Sequence, residues 1–142
     1  MDSTTLRIFL ADDDEDDRFF FEESLAGLAF ETELRTFTNG EELMNFLNST
    51  AELPDLVFLD LNMPRKNGYI CIAEMKSDVK LRDIPVIIVS TSLEKLHVNK
   101  LIKQGAEYYI KKPNELSKLG EEISQVLTSH LKSLNLEGSG KT

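Results

Sequence analysis

The sequence has no tryptophan, one cysteine and two histidines among its 142 residues. Because Cys71 has no partner, no internal disulfide can form, which predicts a reducing, cytoplasmic location. The apolar runs span only a few residues, such as "VIIV" at Val86–Val89, so we expect no membrane-spanning helix. The N-terminal segment lacks the basic start and long apolar stretch of a signal peptide.

Basic side chains are scarce in the first part of the chain. Residues 1–60 hold 3 basic and 16 acidic side chains, a charge of −13, and the remaining residues carry +4, which gives the net −9. So acidic a first half argues against nucleic acid as a direct ligand, because phosphates would be repelled. A localised cation suits this charge distribution better.

The length and the hydrophobic fraction of 41% predict one domain with a real core, over residues 1–134. The polar, glycine-bearing segment 135–142 is predicted to be a disordered tail. Cys71 lies in an apolar stretch and is interpreted as a small core residue.

Apolar runs alternate with helical patterns five times along the chain, which predicts an α/β fold with a parallel sheet and helices on both faces. Continuous apolar runs such as "VFL" and "VIIV" fit strands buried on both faces, whereas the second strand alternates and is expected at an edge. The predicted strands are Leu6–Ala11, Glu31–Phe37, Asp55–Asp60, Pro85–Ser90 and Glu107–Ile110. The predicted helices are Asp14–Leu28, Gly40–Ser49, Gly68–Lys76, Leu93–Gln104 and about Asn114–Leu134.

Chemistry-bearing residues follow several of these strands. Asp12 and Asp13 follow the first strand, Asp60 ends the third, Ser90 ends the fourth, and Lys112 follows the fifth. Sites in open parallel sheets form outside the carboxyl ends of the strands, so these side chains are expected to converge. Three carboxylates and one ammonium carry a formal charge of −2, which a Mg²⁺ ion would neutralise.

This constellation favours phosphoryl chemistry. With a metal ion and a lysine to stabilise the charge on the transferring oxygens, the Asp60 carboxylate could attack a phosphoryl group as a nucleophile. A hydroxyl from Ser90 could bind a further phosphoryl oxygen. The other acidic residues of "ADDDEDDR", from Asp14 to Asp17, are interpreted mainly as a helix start, where negative charge is favourable.

From about Leu6 to Leu134 the chain resembles the receiver domains of two-component response regulators, of the stand-alone type. Four segments in this order carry the resemblance: the acidic pair in "LADDD", then "VFLDLNMPRKNG", "PVIIVST" and "YYIKKP". The resemblance implies a flavodoxin-like fold of five strands in the order 2-1-3-4-5.

The resemblance also implies a role for individual residues. Asp60 would be the phospho-acceptor, Asp13 a direct Mg²⁺ ligand and Asp12 a residue that helps to hold the ion. Asn62 would offer its backbone carbonyl to the metal. Lys112 would pair with the phosphoryl group, and the adjacent Pro113 favours it over Lys111 for this role.

A conformational switch is implied as well. Ser90 would move toward the phosphoryl group, and Tyr109 would change position with it. Pro64 and Gly68 would shape the loop after Asp60, with Gly68 supplying backbone freedom.

The implied function is a phosphorylation-dependent signalling switch, not a conventional enzyme. The phosphoryl group would come from a sensor histidine kinase or a histidine phosphotransfer protein, and a homodimer is one possible product of phosphorylation. A downstream protein would bind the face formed by the fourth helix, fifth strand and fifth helix, where the predicted basic residues are Lys95, Lys100, Lys103 and Lys118.

Two other functions remain as alternatives at this point. A phosphatase of the haloacid dehalogenase type also forms an aspartyl phosphate, but it requires an aspartate where Asn62 stands. A flavodoxin-like electron carrier would need a phosphate-cradling loop after the first strand, where the aspartates of this chain would repel a phosphate.

Overall fold

The computed structural model describes residues 5–91 and 95–140. It contains one five-stranded parallel sheet in the order β2-β1-β3-β4-β5, which confirms the predicted fold class and strand order. The strands are β1 (Leu6–Ala11), β2 (Thr32–Phe37), β3 (Leu56–Leu59), β4 (Val86–Ser90) and β5 (Tyr108–Lys111). The helices are α1 (Glu15–Ala26), α2 (Gly40–Ser49), α3 (Gly68–Lys76), α4 (Lys95–Gln104) and α5 (Leu116–Gly140).

Burial along the strands follows from their place in the sheet. Every residue of β3 and β4 is buried, because helices cover both faces of these central strands. β2 lies at an edge, as predicted, and its side chains alternate between partly buried and exposed over Thr32–Leu34. The register of β1 with β3 pairs Ala11 with Leu59, which brings the residues that follow both strands side by side.

The sheet separates two hydrophobic layers. On β1, Ile8 and Leu10 pack on the side of α1 and α5, whereas Phe9 and Ala11 face the opposite layer, which contains residues of α2, α3 and α4. Cys71 is buried in this second layer, where burial raises the pKa of its thiol to about 11. A thiol that stays protonated in the core agrees with its interpretation as a small packing residue.

Short polar side chains start three of the helices. Asp14 accepts a hydrogen bond from the backbone N–H of Asp17, Asn39 from that of Glu42, and Asn67 from that of Ile70. Each of these caps satisfies one of the N–H groups that a helix leaves unpaired in its first turn. Asp14 and the acidic residues after it therefore start a helix, as the sequence predicts.

The last helix differs from its prediction at both ends. α5 begins at Leu116 rather than Asn114 and continues to Gly140, past the predicted end at Leu134. No proline interrupts the sequence there to stop the helix. The predicted start of α4 at Leu93 lies outside the described residues, and the division into a domain over 1–134 and a tail over 135–142 stays a prediction. Within the described residues, no helix combines the length and the apolar character needed to cross a membrane.

The loop after β3 turns sharply, but the reason for its glycine differs from the predicted one. The residue with a left-handed backbone is Arg65, with a φ of 69°, and its guanidinium donates to Glu41 at 2.9 Å. Gly68 is required for space instead, because a Cβ atom there would lie 2.6 Å from the carbonyl oxygen of Asp60. The Gly68 N–H also donates to the Leu61 carbonyl at 2.9 Å, which closes the loop.

We expect Gly68→Ala to lower the free energy of unfolding by about 1–3 kcal/mol, because the added methyl group overlaps backbone atoms that cannot move independently. Urea denaturation measures this change. Gly27→Ala is the matched control, because a Cβ atom at Gly27 would meet its nearest neighbours at 3.8 Å. Equal stabilities of the two variants would contradict the steric explanation.

Candidate functional site

The carboxyl ends of four strands place the predicted site residues at one rim of the sheet. Asp12 follows β1 and Asp60 follows β3, and the Asp60 N–H donates to the Ala11 carbonyl at 3.0 Å. β4 ends at Ser90, whose carbonyl accepts from the Lys112 N–H at 2.8 Å just after β5. Backbone hydrogen bonds therefore hold these segments in register before any side chain is considered.

The Lys112 ammonium binds three carboxylates. Its Nζ lies 2.8 Å from Asp12 Oδ2, 2.8 Å from Asp17 Oδ2 and 3.1 Å from Asp60 Oδ2. An ammonium group has three hydrogens to donate, so these contacts match its full capacity. Lys111 is the last residue of β5 and is exposed, so Lys112 is the lysine that contacts the carboxylates, as its position before Pro113 predicts.

Both carboxylates after the central strands are also held by backbone N–H groups. Asp12 Oδ1 accepts from the Asp14 N–H at 3.0 Å, and Asp60 Oδ1 accepts from the Leu61 N–H at 2.7 Å. Each carboxylate thus has one oxygen that accepts from a backbone N–H and another that contacts Lys112 Nζ. Their orientation is fixed by four polar contacts rather than by side-chain packing alone.

Burial and the ion pairs of the cluster shift the pKa values of Asp12 and Lys112 in the same direction. Burial raises the pKa of Asp12, which is 2% exposed, and its hydrogen bonds and the Lys112 charge offset this only in part. Burial alone would lower the pKa of Lys112, but hydrogen bonds to Asp12 and Asp17 and the charges of Asp12 and Asp60 raise it above its usual value. The cluster therefore has an increased affinity for positive charge.

Three of the carboxylates could hold a divalent cation. Asp12, Asp13 and Asp60 each offer an oxygen within 4.8 Å of the others, with Asp12 and Asp60 buried and Asp13 exposed. Carboxylate oxygens at an edge open to water suit a hard divalent ion, which keeps part of its hydration shell. The residues present therefore fit such an ion.

Ser90 has a buried hydroxyl at this rim. The residue is 0% exposed, and its Oγ has no hydrogen-bond partner within the described parts of the chain. Since Leu59 pairs with Ile88, continuing this register places Ser90 one residue beyond the position opposite Asp60. A buried hydroxyl without a partner costs free energy, and a group that bound at this rim could supply the missing hydrogen bond.

Two predicted residues are not joined to the cluster by any contact among the described residues. Asn62 lies in the exposed part of the loop after β3, and the role of its carbonyl stays a prediction. Tyr109 lies on β5 and is 49% exposed. Its predicted switch role stays a prediction as well.

Asp17 is a site residue that the sequence interpretation did not identify. It was assigned to the helix start, and its N–H does donate to the capping Asp14, but its carboxylate also binds Lys112. The signal was its place as the third residue of α1, where a side chain can reach back toward the segment before the helix. Four carboxylates and one ammonium therefore carry a formal charge of −3, one more negative charge than the sequence analysis counted.

Comparison with known proteins agrees with this fold. A family model described as the response regulator receiver domain matches residues 8–124. The chemotaxis protein CheY1 of Helicobacter pylori is 30% identical over 122 residues, which cover 86% of this chain and 97% of CheY1. The response regulator Rcp1 of Synechocystis is 28% identical over 134 residues, which cover 91% of each chain.

Two solved structures resemble the model. The phosphorylated cyanobacterial phytochrome response regulator RcpA has a TM-score of 0.82 and 32% identity, over 92% of this chain and 96% of that one. The Mn²⁺-bound form of Rcp1 has a TM-score of 0.76 and 28% identity, over 85% of this chain and 91% of that one. The chain belongs to the response regulator receiver domain family, and its role is phosphorylation-dependent signalling in a two-component system. The phosphatase and electron-carrier alternatives are therefore set aside.

We expect Mg²⁺ or Mn²⁺ to raise the melting temperature, because either cation would bind the folded cluster and relieve its carboxylate repulsion. At ten times its dissociation constant a cation adds about 1.4 kcal/mol, or about 5 °C for a chain of this size. Thermal unfolding with and without the cation measures the shift.

Asp13→Asn should remove most of this shift. Asp16→Asn removes the same formal charge from an exposed position that takes part in none of the ion pairs described above, and it should keep the shift. An equal shift in the two variants would show that the cation binds the acidic surface in general.

Proposed function

We propose that Asp60 accepts a phosphoryl group from a phosphohistidine of a sensor histidine kinase or a histidine phosphotransfer protein. The observation that carries this proposal is the contact between Lys112 Nζ and both Asp12 and Asp60 at a rim that also holds Asp13. A carboxylate beside an ammonium and a divalent cation can approach a phosphoryl group that it would otherwise repel.

In the proposed step, an oxygen of the Asp60 carboxylate attacks phosphorus. The phosphorus–nitrogen bond to the donor imidazole breaks, the imidazole leaves with the bonding electrons, and an acyl phosphate forms. Lys112 donates to a phosphoryl oxygen as negative charge accumulates there. Because Lys112 already lies 3.1 Å from Asp60 Oδ2, only a short adjustment of its side chain is needed.

We assign Mg²⁺ as the cation of the cluster, held by Asp13 and Asp60, with Asp12 and the Asn62 carbonyl completing the site. When bound, Mg²⁺ supplies positive charge to the oxygens of the transferring phosphoryl group. Oxygen ligands with room for several waters are the coordination that this ion prefers, which supports Mg²⁺ over softer metals. Removal of the acyl phosphate by water would use the same residues.

The unpaired hydroxyl of Ser90 supports the proposed switch. A phosphoryl oxygen on Asp60 would give Ser90 Oγ the hydrogen-bond partner that it lacks, so phosphorylation would favour a conformation in which Ser90 has moved toward Asp60. Tyr109 would change its orientation together with Ser90. The population of the two conformations would then report phosphorylation to other proteins.

The surface that carries the signal is proposed to be the face formed by α4, β5 and α5. Lys103 and Lys118 are exposed there, whereas the Lys100 ammonium lies over the ring of Tyr69 on α3, 4.6 Å from its centroid. The side chain of Lys95 lies outside the described ones. Ile102 on α4 and Tyr108 on β5 add exposed apolar area to this face. This combination suits a partner with an acidic rim and an apolar centre. Homodimer formation and a cytoplasmic location are also part of the proposal.

Acetyl phosphate with Mg²⁺ should add one phosphoryl group to the protein, measured by intact mass. Asp60→Asn should abolish the addition, because an amide oxygen cannot act as the acceptor, and chelation of the metal should also suppress it. Asp83→Asn, at an exposed acidic position, should be modified like the wild type. Unchanged uptake in Asp60→Asn would place the acceptor elsewhere.

Ser90→Ala should have opposite effects on stability and on function. Removing a buried hydroxyl without a partner should raise the free energy of unfolding by about 1 kcal/mol. Phosphorylation by acetyl phosphate should slow by about fivefold to tenfold, the loss expected for one hydrogen bond to the phosphoryl group. Ser90→Thr keeps the hydroxyl and should retain the phosphorylation rate. Wild-type kinetics in Ser90→Ala would remove Ser90 from the site.

A further inference from the structure

Asp17 adds a negative charge to the site that phosphoryl capture does not require. The three carboxylates Asp12, Asp13 and Asp60 with Lys112 and a divalent cation would be neutral, whereas Asp17 makes the assembly −1. A phosphoryl donor is itself an anion. The extra charge therefore opposes its approach.

Asp17 also competes for the group that would stabilise the phosphoryl oxygens. Its Oδ2 accepts from Lys112 Nζ at 2.8 Å, shorter than the 3.1 Å contact from the same ammonium to Asp60. Asp17 is half-buried, with its side chain 38% exposed, so this ion pair is partly shielded from solvent. The ammonium is thus bound from the α1 side as well as from the side of the acceptor.

Apolar side chains adjoin Lys112 on the side of α1 and α5. A cavity of about 30 Å³ lies next to Lys112 and Asp17, and Phe20, Phe21 and Leu119 are among the residues that line it. These apolar side chains offer the ammonium no hydrogen-bond acceptor, so its polar side-chain partners among the described residues are the three carboxylates. The number of carboxylates around Lys112 Nζ therefore determines how much of its positive charge remains to attract a phosphoryl donor.

We propose that Asp17 is a positioning residue that slows phosphoryl capture at Asp60 by holding Lys112 and partly neutralising it. This inference rests on the proposed function of Asp60. Asp17 does not touch the reacting atoms; it acts through Lys112. Phosphorylation by a small anionic donor should consequently be slower than the other residues of the site would allow.

Asp17→Asn should speed phosphorylation by acetyl phosphate in saturating Mg²⁺ by about fivefold, the factor that one unit charge about 4 Å away gives in a medium as polar as water. Asp16→Asn removes the same charge from the same turn of α1 at an exposed position, and should change the rate less than twofold. Asp17→Glu restores the charge and should return the rate toward that of the wild type. Added salt should reduce the difference between Asp17→Asn and the wild type, because it screens the charge that the substitution removes.

A second measurement tests the contact without phosphorylation. The Lys112 ammonium hydrogens of the ¹⁵N-labelled protein should exchange with water more slowly in the wild type and Asp16→Asn than in Asp17→Asn. A phosphorylation rate in Asp17→Asn that is equal to or below that of Asp16→Asn would overturn the inference. Equal hydrogen exchange in all three proteins would overturn it as well. A wild type that takes up no phosphoryl group would overturn the proposed function and this inference together. Normal uptake by the wild type with no gain in Asp17→Asn would overturn the inference alone.

Discussion

The structure depends on placing several carboxylates close together at the ends of neighbouring parallel strands. Asp12 and Asp60 are buried beside each other, and a single ammonium, that of Lys112, binds both. Removing a carboxylate from water costs free energy, and here the Lys112 ammonium and backbone N–H groups offset that cost. The raised pKa of Asp12 shows that the compensation is incomplete, so the folded protein keeps an affinity for further positive charge at this rim. This remaining negative charge suits a divalent cation, whose binding would lower the repulsion that an anionic phosphoryl donor meets at the rim.

Most of the fold could be predicted because the strands and helices differ in period and in burial. The fully buried β3 and β4 give continuous apolar runs, and α2 and α3 match their predicted bounds at both ends. The exact end of α5 could not be predicted, because a polar segment without proline is compatible with either a helix or a coil. Gly68 was identified for the wrong reason: sequence shows that a glycine is present, but not whether the backbone angle or the space is what requires it.

The site was predictable to the extent that it follows from strand ends. Asp12, Asp60 and Lys112 come directly after strands, so topology alone brings them together, whereas Asp17 reaches the cluster from a helix. Whether a helical side chain points toward a site or toward water depends on the rotation of the helix about its axis. Within the run of six acidic residues, only the place of Asp17 as the third residue of α1 favours a side chain that reaches back toward the site, and this signal depends on knowing where the helix begins. The Ser90 hydroxyl was predictable as a candidate, but its lack of a partner is visible only in three dimensions.

The hydrogen bond from the Lys112 N–H to the Ser90 carbonyl also protects the alignment of β5 against error. Two lysines stand next to each other at this edge, and a shift of one residue would exchange them and turn the wrong ammonium inward. A shift that put Pro113 in the place of Lys112 would lose the bond to the Ser90 carbonyl, since proline has no amide hydrogen. Pro113 therefore disfavours misalignment of β5 in that direction. A residue with no reactive group thus helps to keep Lys112 beside the carboxylates.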